Sequence, residues 1–173
     1  MLKTTANKIT MLRIVLIPAF LELAYTDKMM AALAVYIVAC LSDFADGYIA
    51  RHYNQISNFG KFMDPLADKM LVLAAMCFFI ENGQMAGWAV AVVLFREFAV
   101  SGMRLLAVEQ GQVIAAAWSG KVKTFATMIC LIVMLLINNS TINLISTIVI
   151  VGTTVYSGVE YFYVNRAVFK EAD

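Results

Sequence analysis

Apolar residues run along this chain in six stretches, each about as long as a bilayer is thick, separated by short polar breaks. The breaks fall at Thr26–Lys28, His52–Asn58, Glu81–Gln84, Glu109–Ser119 and Asn138–Ser140. They predict helices over about 9–26, 29–51, 60–81, 85–108, 120–138 and 141–163. At a rise of 1.5 Å per residue, roughly 20 apolar residues cross a hydrocarbon core of about 30 Å. The expected fold is therefore an all-α integral membrane protein of six transmembrane helices, one domain across residues 1–173. The first apolar stretch, Ile14 to Tyr25, lacks a small-residue cleavage signature and is expected to be retained as a helix. Pro65 predicts either a late helix start or a kink.

Composition agrees with this pattern. The chain is 62% apolar, with a mean hydropathy of +0.79, too apolar for a soluble domain of 173 residues. Cys40, Cys77 and Cys130 each sit in an apolar stretch with no Cys-x-x-Cys spacing, so they are expected to be small buried hydrophobes without disulfides. His52, the single histidine, falls in a break and is expected to be a solvated loop residue. A net charge of +1 says nothing about nucleic acid, which is not expected as a partner.

Basic residues report orientation instead. Of 13 Lys and Arg, only Lys28 belongs to the side holding the breaks at 26–28, 81–84 and 138–140. Arg13 and eleven others belong to the opposite side or to the helix halves leading to it, which makes that side cytoplasmic, with both termini. Trp88, near the outer interface, and Trp118 fit aromatic anchors, and the 11 Phe and 11 Met fit packing and lipid-facing positions.

Against this background the segment from Asp43 to Asp68, DFADGYIARHYNQISNFGKFMDPLAD, is anomalous. Carboxylates in apolar helices are costly and mark function by default. Asp43 and Asp46 are spaced i,i+3 on the second helix, and Asp64 and Asp68 i,i+4 on the third, so each pair shares one face. Asp43 stands nine residues before His52 and Asp68 ten after Asn58, depths of about 13 and 15 Å from the same cytoplasmic break. Four carboxylates at close range cannot all be ionised without cations. Hard divalent ions answer this need, Mg2+ or Mn2+ ahead of Ca2+. Two such ions suit an in-line phosphoryl displacement, with Asp68 free to act as general base. Gly47, Ala50 and Gly60 remove bulk where a ligand could approach the backbone. The alternative, salt bridges to Arg51, Lys61 or Lys69, supplies too few local cations for four acids.

The same segment matches, without departure, the pattern D-x2-D-G-x2-A-R-x8-G-x3-D-x3-D, filled by Asp43, Asp46, Gly47, Ala50, Arg51, Gly60, Asp64 and Asp68. In this it resembles the CDP-alcohol phosphotransferase family. Further segments, FGKFMDPLADKM, REFAVSGMRLLAVEQG, GKVKT and Asn7-x-x-Thr10-x-x-Arg13, resemble its bacterial phosphatidylglycerophosphate synthase branch. The resemblance implies a six-helix fold with a cytosol-facing site in a bacterial inner membrane, commonly as a homodimer. It implies two divalent ions held by Asp43, Asp46, Asp64 and Asp68. It implies a CDP-lipid site formed by Asn7, Thr10, Asp43, Asp46, Gly47, Ala50, Arg51 and Gly60. The implied reaction joins CDP-diacylglycerol and sn-glycerol 3-phosphate into phosphatidylglycerol phosphate and CMP, Asp68 taking the proton from the attacking hydroxyl.

An acceptor that carries its own phosphate calls for cations outside the motif. Arg96, Arg104, Lys121 and Lys123 are the candidates, Arg96 lying about 16 Å from the outer end of its helix. Against this stands the possibility that Glu97 pairs with Arg104 and that the lysines reach the interface as solvated cations. Rival readings are a family member with another acceptor (inositol phosphate, serine or phosphatidylglycerol), an intramembrane prenyltransferase, and a cation transporter. A prenyltransferase needs two separated aspartate motifs, and a transporter needs acids in the outer halves, where Glu22 is nearly alone.

Overall fold

The computed structural model describes residues 5–52, 58–112, 114–115 and 117–169, with side chains undescribed at 5–8, 43–52, 58–62, 64 and 65. Six helices follow one another: α1 Thr5–Tyr25, α2 Met29–His52, α3 Asn58–Glu81, α4 Gly87–Glu109, α5 Trp118–Leu136 and α6 Ser140–Val164, then a short 3-10 turn, Arg166–Phe169. All six expected helices are present, with ends within a few residues of those expected. Pro65 lies inside α3 and does not start it, and His52 ends α2 as its last helical residue.

The helix ends have local causes. Three helices stop at a left-handed residue: Asp27 (φ 57°), Gly83 (φ 67°) and Gly111 (φ 73°). After α3, Gln84 N–H reaches back to Phe79 O (2.8 Å) and Gly83 N–H to Ile80 O (2.9 Å). After α4, Gln112 N–H bonds Ala107 O (2.8 Å) and Gly111 N–H bonds Val108 O (3.0 Å). These pairs satisfy carbonyls that a helix end otherwise leaves open. At the start of α6, the Asn139 side chain accepts from Thr141 N–H at 2.9 Å.

α1 packs on α2 and α3, α5 on α6, and α6 on α4, while α2 meets α5. The main core draws on all six helices. Phe20 of α1 meets Tyr36 of α2 with ring centroids 5.4 Å apart, and the small residues Ala32, Ala39, Ala75 and Ala89 are fully buried. Small side chains let helix backbones approach where lipid offers no hydrophobic drive of its own. A second cluster joins Val100, Met103 and Ala107 of α4 to Tyr161 and Val168.

The alternation of breaks is borne out by contacts between them. Tyr25 donates to Glu81, and Gln84 donates to Asn138 at 2.8 Å, so the turns after α1, α3 and α5 share one end of the bundle. At the other end, Gln110 donates to Val168 O at 3.0 Å, joining the end of α4 to the final turn. The exterior is apolar: Phe95, Phe98, Leu105, Trp118 and Tyr156 are all exposed. By length and composition α5 and α6 can each cross a membrane, and Met29–Ser42 of α2 is a shorter apolar run. The cysteines are free; Cys40 is buried, but Cys77 is exposed, contrary to expectation, because it lies on the outward face of α3.

Candidate active site

The motif occupies the end of α2 and the start of α3: Asp43, Asp46, Gly47, Ala50 and Arg51 on the former, Gly60, Asp64 and Asp68 on the latter. The side chains of Asn7, Asp43, Asp46, Ala50, Arg51 and Asp64, and the surroundings of Gly47 and Gly60, lie outside the described residues. Asp68 is the one motif acid whose contacts are on view. It is held by Arg13 of α1, which is fully buried and pairs through Nη1 with Asp68 Oδ1. Arg13 Nε also donates to Ser42 Oγ at 3.3 Å, and Ser42 in turn donates to Ala39 O at 2.7 Å. One guanidinium thus ties α2, one residue before Asp43, to Asp68 on α3. The two halves of the motif therefore stand at one level of the bundle, as the equal counting from the break implies. Thr10, one turn before Arg13, is fully buried as well.

Arg13 is the main correction to the sequence reading, which counted it as an orientation charge. Its role is not visible locally, since the carboxylate it meets is 55 residues away. The only signal was its place in the Asn7-x-x-Thr10-x-x-Arg13 spacing, which sets all three on one face of α1.

The next residue of α3 faces elsewhere. Lys69 Nζ donates to Ser101 Oγ at 2.9 Å and lies 3.7 Å from Glu97 Oε2, both on α4. Glu97 Oε1 also accepts from Lys123 Nζ at 2.7 Å and from Arg96 Nη1 at 3.0 Å. One carboxylate is therefore shared by three cations from α3, α4 and α5. The alternative Glu97–Arg104 pair does not form. Arg104 Nε donates instead to Tyr161 Oη at 3.0 Å, with the guanidinium 5.5 Å from the ring centroid. Lys123 is buried and does not reach an interface, whereas Lys121 is exposed, 5.9 Å from the Trp118 ring.

These residues wall a cavity of about 600 Å³ lined by Arg96, Glu97, Arg104, Lys121, Thr124 and Tyr161, among others. Arg96, Arg104 and Lys121 border it directly, and Lys123 stands behind Glu97. Space for Arg96 comes from two glycines. A Cβ added to Gly158 of α6 would lie 3.2 Å from Arg96 Cγ, and one added to Gly120 of α5 would lie 3.4 Å from its Nη2. Arg96 Nε is buried with no hydrogen-bond partner among the described residues. A buried charged donor left open is costly unless something completes it. The cavity can therefore take a compact anion, and charge-assisted bonds from arginine to phosphate are the strongest available.

Among the described residues no three Asp, Glu, His or Cys side chains gather into a metal site, three of the motif acids being undescribed. The donor set itself suits hard divalent ions: four carboxylates on two contacting helices, two of them brought level through Arg13 and Ser42.

Residues 3–157 match the family model described as CDP-alcohol phosphatidyltransferase. A Bacillus subtilis protein named CDP-diacylglycerol–glycerol-3-phosphate 3-phosphatidyltransferase is 40% identical over 189 aligned residues, 96% of this chain and 97% of its own. An Escherichia coli K12 protein of the same name is 38% identical, covering 71% of each chain. A Mycobacterium tuberculosis H37Rv protein named probable phosphatidylglycerophosphate synthase is 33% identical, over 90% of this chain and 78% of its own. With its aspartate motif on two adjacent helices and the family match spanning most of its length, this chain belongs to the CDP-alcohol phosphatidyltransferase family.

Proposed function

We propose that the chain transfers the phosphatidyl group of CDP-diacylglycerol to sn-glycerol 3-phosphate, giving phosphatidylglycerol phosphate and CMP. The names of its relatives support the reaction. The observation that carries the acceptor is the cation-rich cavity between α4, α5 and α6, whose Glu97 also meets Lys69, the residue after Asp68. A neutral alcohol has no use for Arg96, Arg104 and Lys121 on one wall.

Asp43, Asp46, Asp64 and Asp68 would hold two divalent ions, Mg2+ or Mn2+. When bound, such ions neutralise the pyrophosphate and its developing charge. Asn7, Thr10, Gly47, Ala50, Arg51 and Gly60 receive the CDP group. Arg13 holds Asp68 in place. The acceptor phosphate completes the bonding of Arg96, with Arg104 and Lys121 beside it. A glycerol hydroxyl then attacks the β-phosphorus directly. Its oxygen forms the new P–O bond, the bond to CMP breaks, and the proton passes to Asp68.

The finer reading of the fold is six membrane spans, as a homodimer in a bacterial inner membrane. The end carrying Asp68, both termini and nearly all Lys and Arg faces the cytoplasm. The apolar exterior and the apolar α5 and α6 support this placement. The test is CMP release by purified protein from CDP-diacylglycerol with glycerol 3-phosphate, inositol phosphate, serine or phosphatidylglycerol as acceptor. Release with glycerol 3-phosphate is expected. Release only with another acceptor overturns the assignment.

A further inference from the structure

A second cavity, about 250 Å³, opens between α5 and α6 and shares Trp118 and Val122 with the first. Its lining includes Trp118, Ser119, Tyr156 and Glu160. Glu160 is a carboxylate near the end of an apolar helix, and its Oε2 is buried without a hydrogen-bond partner. Nor does an ion pair reach it among the described residues. Ser119 is 7% exposed, and its hydroxyl is buried and unpartnered too. Among the described residues nothing pairs Glu160 Oε2 or the Ser119 hydroxyl, yet an acid within an apolar helix is costly unless something pairs it.

The surrounding groups define what would pair it. Trp118 and Tyr156 are strongly exposed and stand at the cavity. Aromatic faces attract ammonium groups, and the Lys121 ammonium already lies 5.9 Å from the Trp118 ring centroid. One carboxylate, one hydroxyl and two aromatic rings are the acceptors and π-surfaces suited to one ammonium group. The cavity is too small for an acyl chain and large enough for a headgroup amine. It lies between the two helices that can each cross a membrane, in the last turns of α6 and the first of α5. That is the depth at which lipid headgroups meet a bundle.

We infer that Glu160, Ser119, Trp118 and Tyr156 form a lipid site for a primary ammonium headgroup, as in phosphatidylethanolamine. It rests on the membrane placement proposed above and not on the identity of the acceptor. The ammonium pairs with Glu160, donates to Ser119 and meets the two rings, while the acyl chains lie along the apolar outer face of α5 and α6.

The test is native mass spectrometry of purified protein equilibrated in micelles of equimolar phosphatidylethanolamine and phosphatidylglycerol. Retention of phosphatidylethanolamine should fall about tenfold in Glu160→Gln, with phosphatidylglycerol unchanged. Tyr156→Leu, which keeps apolar bulk, should lower it about threefold. Free ethanolamine at millimolar concentration should not displace the lipid; displacement would assign the site to the free amine and overturn the lipid. Equal retention by the wild type and Glu160→Gln overturns the site. Unchanged CMP release by Glu160→Gln in detergent shows the variant is folded and separates this result from the catalytic reading. Flotation of the wild type with vesicles tests the membrane placement independently, and failure to float overturns it.

Discussion

Two ionic groups meet consecutive residues of α3, one built around acids and the other around cations. At Asp68 the Arg13 guanidinium meets one of four motif aspartates. At Glu97 three cations, Lys69, Arg96 and Lys123, share one carboxylate, with Arg104 and Lys121 nearby on the cavity wall. The first is built around the motif acids and the second around cations that share one carboxylate. Asp68 and Lys69 are consecutive, turned about 100° from each other on the helix, so one helix supplies both. The lesson is that the two groups differ in the sign of what they would bind. Divalent ions and a pyrophosphate answer the acidic side, and an acceptor phosphate answers the basic side.

The largest break in this comparison comes from Asp68. Asp68→Asn should lower the rate of CMP release by about 10²- to 10⁴-fold, the range of a lost general base. Retention of most activity would refute that role. Arg13→Ala should come next. Removing the fully buried Arg13 takes away a partner of the part-exposed Asp68, which should appear as a lower thermal midpoint in detergent. Because Arg13 also ties in Ser42, Arg13→Lys should restore only part of it. A smaller effect belongs to the basic side. Arg96→Ala should raise KM for glycerol 3-phosphate about 10- to 100-fold, the worth of charge-assisted hydrogen bonds. KM for CDP-diacylglycerol should stay nearly constant; a parallel rise in both would show that the two clusters are not separate pockets. The smallest effect is steric. Gly158→Ala places a Cβ 3.2 Å from Arg96 Cγ and should shift KM for glycerol 3-phosphate by a few-fold, with little change in melting.

The helices were legible because their signal is local. Apolar runs bounded by Thr26–Lys28, Glu81–Gln84 and Asn138–Ser140 set the turns, and Asp27 and Gly83 supply the left-handed residues that close them. The acidic motif was legible for the same reason, since its spacings repeat the helix period. The partners of its last member were not. Arg13 and Asp68 are 55 residues apart, and nothing local distinguishes Arg13 from a cation placed by membrane orientation. Likewise Arg104 stands about two turns from Glu97 on the same helix, yet only the packing of α3, α4 and α5 assigns Glu97 to Lys69 and Lys123 over Arg104. Gly120 and Gly158 carry no local mark of a role, and only the packing of α4, α5 and α6 sets Arg96 against them.

What the sequence by itself determined is the number and ends of the helices, the two faces carrying the aspartates, and the end of the bundle that holds the charge. These depend on neighbours three or four residues away and on the transfer cost of charge into an apolar medium. Tertiary structure alone decided which cation meets which carboxylate. A buried ion pair is chosen by a few ångströms of distance between separate helices, and that distance is set by the packing of the whole bundle, through small residues such as Ala39, Ala75 and Gly158.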